Sequence, residues 1–505
     1  MGIFCPLHKS VKEGFAHKCK RIVFFIVVAL MMVTATSCDS ANHIFDTLPS
    51  TPITATSSAA LQATEASSQE MPTLEALSST ASANISKITV TFYGDPYTAK
   101  GFTWYTNHDS LSSDVQVIKK TRQTPDFNRA MIFTGTTGNS HNSPEEFVHK
   151  AFATGLTSDT AYYYRVGDAK LNIWSSPAVF TTAPENGPFT FIDLSDTQFA
   201  DQAGAKVTAD TISKALSQVE NAKFIIHNGD VVDNKSEKQW NLLLQTAKSS
   251  LMNTTIMPAS GNHDAGNSTF IDHFNLDIPR SATTTGAYYS VDYCNTHFVV
   301  LNTNESSDSY KEFTNAQVDW LKADIGSAKS AGAQWVIVII HMGPYSTAEH
   351  SSDSNVKDTR AKIAPLFNEL GVDLVLQGHD HVYERSKPIV NGISAKQSTV
   401  TENFNGQSVR YIVDPEGPIY LTPGTAGTKH YYQSANLSQA YLSLFDVANG
   451  PYKGDPDINN QETFISITVD ENNLTVTAYQ ISKTINGGIP YVIDQFGVTQ
   501  KSQHN

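Results

Sequence analysis

The stretch Gln377-Gly378-His379-Asp380-His381 directly follows a short apolar run at residues 372–376. Such a run is typical of a fully buried strand. Two histidines two residues apart, beside a glycine that lets the backbone turn sharply, can both face the crevice at the strand's carboxyl end. Because imidazole is the commonest side-chain metal ligand, the stretch predicts half of a metal site. Taken alone, it also fits a surface turn whose histidines have no function.

Four earlier strand-like runs end in residues of the same kind. In chain order these are Thr190–Leu194 before Asp196 and Gln198, Phe224–Ile226 before Asp230, Thr255–Pro258 before Asn262, and Trp335–Ile340 before His341. Each residue by itself is ordinary turn or cap chemistry. In α/β sheets, however, ligands bind outside the carboxyl ends of strands. Five such ends in succession therefore predict one shared metal site.

Helical patterns separate these strands. Apolar residues recur at helical spacing around Ile212, Leu243, Leu321 and Phe367, and the last of these patterns predicts one helix over residues 363–370. The alternation of strand and helix predicts an α/β catalytic body from residue 188 to residue 505. Further strand-like runs after Arg385 are expected to complete a two-sheet sandwich.

Composition is that of a globular protein with a large core. The chain has 505 residues, of which 40% are hydrophobic, and its length is typical of about three domains. Its formal charge is −14, and residues 1–38 contain five lysines and arginines against one glutamate, so the remainder is at −18. So acidic a chain argues against binding nucleic acid or an anionic membrane by bulk charge. An anionic substrate is still compatible, because a metal ion can supply local positive charge.

Residues 1–38 predict an export signal. Lys18, Lys20 and Arg21 precede the apolar run Ile22–Val33, which is too short to span a bilayer comfortably but fits a signal peptide. Small residues then lead to Cys38, which resembles a lipoprotein-type signal with a lipidated cysteine, although Ala35 stands where leucine is usual. An ordinary secretory signal cut nearby is the alternative. Both predict an extracytoplasmic protein, secreted or lipid-anchored at the outer face of a bacterial membrane.

A low-complexity linker and a β domain follow the signal. Residues 39–84 are rich in Ser, Thr and Ala without an apolar period, which is typical of a flexible tether. Residues 85–183 contain roughly seven short alternating runs, which predict a β-sandwich. Gly155-Leu156 before Tyr162 resembles the tyrosine corner of fibronectin type III-like modules. Only Cys294 remains beyond the signal, so no intrachain disulfide is expected.

The strand-end residues together resemble the motif set of the calcineurin-like metallophosphoesterases, which is D-x-H, G-D-x-x-D, G-N-H-D/E, a strand-terminal H and G-H-x-H. The chain is most similar to the purple acid phosphatase branch, through His341–Tyr345 with His350 beyond it, Gly378–Arg385, Gly417–Gly424 and the β domain. This resemblance implies a four-layer αββα metallophosphoesterase sandwich, preceded by a purple acid phosphatase N-terminal-like domain of the all-β, fibronectin type III-like kind.

The resemblance also implies two metal ions, of Fe, Mn, Zn or a similar element. One ion is expected on Asp196, Gln198, Asp230 and His381, and the other on Asp230, Asn262, His341 and His379. Carboxylate, amide and imidazole donors suit hard to borderline ions. Two such ions about 3.5–4 Å apart can generate hydroxide near neutral pH and hold both oxygens of an in-line displacement.

Three further residues are predicted to act in catalysis. By resemblance, His263 is the general acid that protonates the leaving oxygen, and Asp264 is expected to orient it. His350 matches the spacing of a substrate-contacting histidine in the purple acid phosphatases, with a flexible-loop histidine as the alternative. Glu384 and Arg385 are expected to form a structural ion pair.

Two departures from the branch affect the expected metals. Asp233 stands where purple acid phosphatases have the tyrosine that gives the colour, so the protein is not expected to be purple. Gln198 stands where generic family members have histidine, and a neutral amide oxygen is a weaker donor.

The sequence thus predicts a dinuclear metal-dependent phosphoesterase that hydrolyses phosphomonoesters by hydroxide attack. Its only expected partner is the phosphate ester substrate. The nearest alternative is a phosphodiesterase or nucleotide hydrolase that uses the same site. A non-catalytic surface binding lipoprotein is the alternative from another class, and the complete ligand set argues against it.

Overall fold

The computed structural model describes residues 84–107, 111–278, 280–305, 313–448 and 461–501, which lie within the unit Glu75–Asn505. The predicted signal, the proposed lipidation at Cys38 and the linker up to residue 83 lie outside the described residues. Among the residues described, no helix is both long and apolar enough to cross a membrane.

The first part of the described chain is built of β-strands, some of which alternate buried and less buried residues. In β7, for example, Tyr162, Tyr164 and Val166 are buried and pack with Phe102 and Val115, as expected for strands with one face on a core. The strands are β1 (Ser86–Thr91), β2 (Lys100–Thr106), β3 (Asp114–Lys119), β4 (Met131–Thr134), β5 (Thr136–Asn139), β6 (Phe147–Ala153), β7 (Ala161–Asp168), β8 (Ile173–Trp174) and β9 (Ala178–Thr181).

The strands of the second part include the predicted runs and further strands that were not predicted, among them those at residues 383–386, 398–404, 445–448 and 491–499. They are β10 (Phe189–Leu194), β11 (Ala222–His227), β12 (Thr255–Pro258), β13 (Tyr289–Tyr293), β14 (Thr296–Leu301), β15 (Trp335–Ile340), β16 (Leu374–Gln377), β17 (Tyr383–Ser386), β18 (Ile389–Val390), β19 (Ile393–Ser394), β20 (Ser398–Phe404), β21 (Gln407–Val413), β22 (Ile419–Pro423), β23 (Phe445–Ala448), β24 (Gln461–Val469), β25 (Asn473–Ser482) and β26 (Tyr491–Thr499).

Side-chain caps and a proline set several helix ends. Asp201 accepts hydrogen bonds from the N–H groups of Ala203 and Gly204 and so caps the first helix. The helix predicted over residues 363–370 is present as Ala364–Glu369, and Pro365 lies in its first turn, where the missing N–H has no intrahelical partner to lose. The α-helices are α1 (Gln202–Gln218), α2 (Glu237–Thr246), α3 (Lys248–Leu251), α4 (Thr269–His273), α5 (Asn315–Ser330), α6 (Ser354–Lys362), α7 (Ala364–Glu369) and α8 (Gln439–Leu442).

Two large mixed sheets form the scaffold. One has the order β20-β21-β26-β25-β24-β10-β11-β12-β1-β2-β6-β5, and the other has the order β13-β14-β15-β16-β22-β17-β23. Strands β10, β11 and β12 are parallel to one another, as are β14, β15, β16 and β22. A third sheet contains β4, β3, β7 and β8, with β9 paired to β7.

The two large sheets pack face to face through an aromatic core. Phe191 of β10 meets Phe298 of β14 edge to face, with ring centroids 5.3 Å apart. In β15, Ile337 and Ile339 belong to this core, whereas Val336 and Val338 pack on the other face with Leu321 of α5. The body is therefore a mixed α/β structure with two sheets and helices on an outer face, as the sequence predicts.

The β-rich part joins the larger sheet directly. Strand β1 pairs in parallel with β12, with Val90 opposite Thr255. Lys100 at the start of β2 is fully buried at this junction, where its ammonium bonds Thr255 Oγ1 at 3.3 Å and lies over the Phe92 ring.

Candidate metal centre

The predicted ligands meet where strands of both large sheets end. Asp196 and Gln198 follow β10, Asp230 follows β11 and Asn262 follows β12, all in the twelve-stranded sheet. His341 follows β15, and His379 and His381 follow β16, in the seven-stranded sheet. The site is therefore built from the parallel strands of two sheets that face each other.

Three of these residues have a left-handed backbone, with φ of 54° at Asp196, 53° at Asp230 and 72° at His379. Such conformations cost on the order of 1–3 kcal/mol each outside glycine and concentrate at functional sites. Hydrogen bonds between the loops hold them. The Asp196 N–H donates to the Gly229 carbonyl, and the His379 N–H donates to the Asp196 carboxylate.

Glycines allow these loops to approach one another. A Cβ on Gly261 would lie 2.1 Å from Asp230 Oδ1, so no other residue fits there without moving a ligand. A Cβ on Gly378 would lie 2.9 Å from both His341 Nδ1 and the Asn228 carbonyl. The left-handed residue of this turn is thus His379 and not Gly378 as expected. Residue 378 is a glycine because a side chain there would collide with His341 and Asn228.

One cluster of ligand atoms centres on Asp230. The ligand atoms of Asp230, His341 and His379 all lie within 4.8 Å of one another. His341 Nε2 is 3.3 Å from Asp230 Oδ2 and 3.1 Å from Asn262 Oδ1. His341 Nδ1 bonds the Asn228 carbonyl at 2.8 Å, and this leaves Nε2 as the atom that can bind a metal.

The remaining predicted ligands adjoin that cluster. His381 Nε2 lies 3.2 Å from Asp196 Oδ1, while its Nδ1 donates to the Lys429 carbonyl. The side-chain amide of Gln198 donates to Asp230 Oδ2 at 2.9 Å. These contacts place Asp230 between both groups of ligands, as expected of a bridging carboxylate.

Unpaired buried atoms show that a cation fits. Gln198 Oε1 and His379 Nε2 are buried without a hydrogen-bond partner, and buried polar atoms normally have one. Both are lone-pair donors at the predicted ligand positions. Together with the Asp230 cluster, they make this a metal-binding site.

The charges of the site agree with this assignment. Burial opposes the ionisation of Asp230, but the imidazoles of His341 and His263 outweigh burial and lower its pKa. Burial also opposes protonation of His341, yet Asp230 and Asp196 raise its pKa to about 9, so a metal that binds this histidine displaces a proton and takes over the pairing with the carboxylates. The pKa of His379 is lowered well below its ordinary value by burial and by His341. His379 is therefore held neutral, which is the form of histidine that binds a metal.

His263 lies beside this cluster and is held by Asp233. Its Nδ1 bonds the Asp233 carbonyl at 2.5 Å, and its backbone N–H donates to Asp230 Oδ1 at 2.8 Å. The carboxylate of Asp264 is fully buried and accepts from the backbone N–H groups of Val231, Val232 and Gly261. Asp264 thus shapes the loop that contains Asp230, whereas Asp233 supplies the contact to the imidazole of His263.

His350 reaches the same site from the loop after β15. Its ring stacks on His379 with centroids 4.2 Å apart. Its Nδ1 bonds Asp353 Oδ2 at 2.8 Å, and its backbone N–H donates to Asp380. The side chain is 28% exposed, so His350 can contact a molecule that enters from solvent.

The predicted ion pair between Glu384 and Arg385 is wrong. Arg385 pairs with Asp494 and Asp446, and Glu384 accepts from Thr347 and Thr422. The two residues are neighbours in a strand, so their side chains point to opposite faces. Burial and the nearby Asp380 raise the pKa of Glu384 to about 8.

Sequence reasoning missed the loop after β22. Lys429 Nζ lies 3.2 Å from His263 Nε2 and 3.7 Å from Asp233 Oδ1. Tyr431 stacks on His381 with centroids 4.1 Å apart. Strand β22 was visible in the sequence and runs parallel to β16, so its carboxyl end could have been recognised as part of the same edge.

Comparisons with known families give two matches. Residues 189–383 match the calcineurin-like phosphoesterase family, and residues 85–182 match the purple acid phosphatase N-terminal domain. Relatives include purple acid phosphatase 18 of Arabidopsis thaliana, which is 25% identical over 298 residues, or 56% of this chain and 58% of that protein. Purple acid phosphatase 1 of Ipomoea batatas is 24% identical over 64% of this chain and 68% of its own length.

Solved structures share the fold. The purple acid phosphatase PPD1 from yellow lupin seeds superposes with a TM-score of 0.65 at 16% identity, over 83% of this chain and 75% of the lupin chain. PhoD superposes with a TM-score of 0.50 at 13% identity, over 82% of this chain and 93% of its own. At these identities the likeness concerns the fold alone.

Proposed function

Because the chain contains a calcineurin-like phosphoesterase domain and a purple acid phosphatase N-terminal domain, we propose that it is a dinuclear metal-dependent hydrolase of phosphomonoesters. The observation that supports this most is the meeting of Asp230, His341 and His379 within 4.8 Å. Unpaired donor atoms at Gln198 and His379 add to it.

We propose that two ions share Asp230. Asp196, Gln198 and His381 would hold one, and Asn262, His341 and His379 would hold the other. One Arabidopsis relative is named an Fe(3+)-Zn(2+) purple acid phosphatase, and the oxygen and imidazole donors present here suit Fe, Mn or Zn. When bound, such ions supply the positive charge that polarises the phosphoryl group and activates the attacking water.

His263 is the proposed general acid. Its Nδ1 faces a carbonyl, which can only accept a hydrogen bond, so Nε2 is the atom available to the substrate. That nitrogen lies 4.0 Å from Asp230 Oδ2, close to the proposed metals without being a ligand. His350, stacked on His379, is the proposed second contact to the phosphate ester.

Asp233, which replaces the colour-giving tyrosine of the purple acid phosphatases, affects the expected absorption of the metal centre. Its carboxylate lies beside Lys429 and His263, and a carboxylate lacks the phenolate that produces charge-transfer colour. We therefore expect the metal-loaded protein to be colourless in the visible range.

The finer domain assignments are proposals too. We propose residues 85–183 as a fibronectin type III-like β-sandwich, supported by the hydrogen bond from the Thr157 N–H to the Tyr162 hydroxyl, which is typical of a tyrosine corner. Residues 188–505 are proposed as a four-layer αββα catalytic domain. An export signal at 1–38, a linker at 39–84 and a location outside the cytoplasm complete the proposal.

Hydrolysis assays on the purified full chain test the function. With Mn²⁺, Zn²⁺ or Fe added, we expect turnover of p-nitrophenyl phosphate that exceeds turnover of bis(p-nitrophenyl) phosphate. Preference for the diester would favour the phosphodiesterase alternative. Metal-loaded protein that hydrolyses neither compound would contradict the proposed activity and favour the binding lipoprotein.

A further inference from the structure

A bulge in β1 directs one buried lysine toward the catalytic body. The pairing of β1 with β2 is irregular between Ser86 and Thr89, and Lys87 has a left-handed backbone there, with φ of 50°. Bulges re-aim side chains and are frequent beside active sites, and a left-handed backbone is strained outside glycine. The Lys87 side chain is fully buried, so the bulge places a charge inside the protein, which is costly unless carboxylates pair with it.

Two glutamates pair with Lys87, one from each side of the junction. Its ammonium lies 2.7 Å from Glu146 Oε2, in the β-rich part, and it also bonds Glu237, the first residue of α2. Burial opposes the ionisation of Glu237, but His273 and Lys87 outweigh burial and lower its pKa to about 2. Glu237 is therefore charged near neutral pH, and the ion pair fixes the start of α2 to the β-rich part.

Glu237 is close in the chain to the residue that holds His263. Asp233, whose carbonyl bonds His263 Nδ1, stands four residues before Glu237. The side-chain amide of Asn142, which also belongs to the β-rich part, donates to the Lys235 carbonyl at 2.5 Å. The β-rich part thus holds the loop that contains Asp233 at two points.

His273 extends the same network to the other side of His263. Its Nε2 lies 3.1 Å from Glu237 Oε1, and its Nδ1 bonds the Thr269 carbonyl at 2.7 Å. The hydroxyl of Thr269 in turn donates to the carbonyl of Asp264, the residue after His263. The loop before α2 and the loop that contains His263 are therefore both connected to Glu237, the partner of Lys87.

Resting on the proposed function, we infer that Lys87 is a positioning residue for His263. Through Glu237 and His273 it fixes the backbone that holds the imidazole, which stays where a leaving oxygen can receive its proton. A general acid must lie about 2.6–3.2 Å from that oxygen, and a displacement of about 1 Å can cost about 10²-fold in rate. The β-rich part thereby contributes to proton transfer, although Lys87 acts only through other residues.

Two substrates separate positioning of the acid from general stability in the metal-loaded full chain. Lys87→Met should lower kcat on phenyl phosphate by about 10- to 10²-fold with KM little changed, because phenolate is a poor leaving group without a proton. On dinitrophenyl phosphate, whose leaving oxygen needs no proton, kcat should stay near that of the wild type. Lys100→Met is the matched control, because Lys100 is a buried lysine of the next strand that bonds Thr255, and it should match the wild type on both substrates.

A double-mutant cycle with His263→Ala provides a second readout. If Lys87 acts through His263, Lys87→Met should have little further effect on phenyl phosphate once residue 263 is alanine. Lys87→Met combined with Glu237→Gln removes both charges of the buried pair, so it avoids an unpaired buried charge. This variant should show the same substrate pattern, and it keeps the test decisive if Lys87→Met alone does not fold.

Equal losses on both substrates, or an undiminished further loss in the His263→Ala background, would overturn the inference and make Lys87 a residue that only stabilises the fold. A wild-type chain that hydrolyses neither substrate would overturn the proposed function instead. Hydrogen exchange would then still decide the positioning, because amides of residues 261–275 should exchange faster in Lys87→Met than in Lys100→Met. Equal exchange rates in the two variants would overturn it.

Discussion

At the scale of single residues, His263 is defined by what it touches. Its ring bonds the Asp233 carbonyl and faces Lys429, its backbone N–H donates to Asp230 Oδ1, and its Nε2 lies 4.0 Å from Asp230 Oδ2. No predicted ligand atom belongs to it. Its proposed role is therefore separable from metal binding.

His263→Ala should lower kcat by about 10²–10⁴-fold, the usual contribution of a general acid. The metal content should stay that of the wild type, because the ligand set is untouched. Turnover and elemental analysis of the same preparation check both statements. His141→Ala, whose imidazole is 61% exposed and pairs with Asp272, is the control. Loss of metal from His263→Ala would show that His263 has a ligand role.

Sequence reasoning at this scale succeeded where the signal is local. Asp230, His341 and His379 each follow directly on a buried strand, so their place at the sheet edge could be read from the chain. Lys429 follows a strand too, but its contact with His263 depends on how two distant loops approach each other. The environment of Asp264 was hidden for the same reason, since its backbone partners include the loop after β11.

At the scale of elements, the sequence identified most of the buried strands but missed several strands, which include exposed ones and the buried β17. Strands β4 and β5 are largely exposed, so no apolar period marks them. Helix α6 was not predicted, because only Val356 and Thr359 in it are buried and no apolar period marks it.

Strand β2 provides a pH-dependent prediction at this scale. Burial lowers the pKa of Lys100 from 10.5 to about 7. Between pH 7 and 10.5 the unfolded chain binds the proton and the folded chain does not, so wild-type stability rises with pH across that window. Below pH 7 Lys100 is protonated in both the folded and the unfolded chain. Its contribution to the free energy of unfolding is then constant and at its most destabilising.

Lys100→Met removes this titration and should be more stable than the wild type at pH 6. The stability difference between the two proteins should shrink by about 3 kcal/mol between pH 6 and pH 9.5, at 1.36 kcal/mol per pKa unit. Urea unfolding at both pH values measures it. A difference that stays constant with pH would mean that Lys100 keeps its charge in the folded protein.

At the scale of the whole molecule, the metal site depends on two sheets packed face to face. The sequence predicted both the alternation of strand and helix and the sandwich, because each strand has its own apolar pattern. It could not show which sheet each strand joins. The parallel pairing of β1 with β12, which extends the larger sheet into the β-rich part, links residues far apart in the chain and has no local signal.

The metal content of the full chain and of Asp230→Asn tests the central claim most directly. Asn has nearly the shape of Asp but lacks the charge that two cations share, so elemental analysis should find about two ions per wild-type chain and fewer than one in the variant. Asp292→Asn, at a carboxylate that is 67% exposed and pairs with His297, should match the wild type. Equal metal content in Asp230→Asn and the wild type would contradict a centre bridged by Asp230.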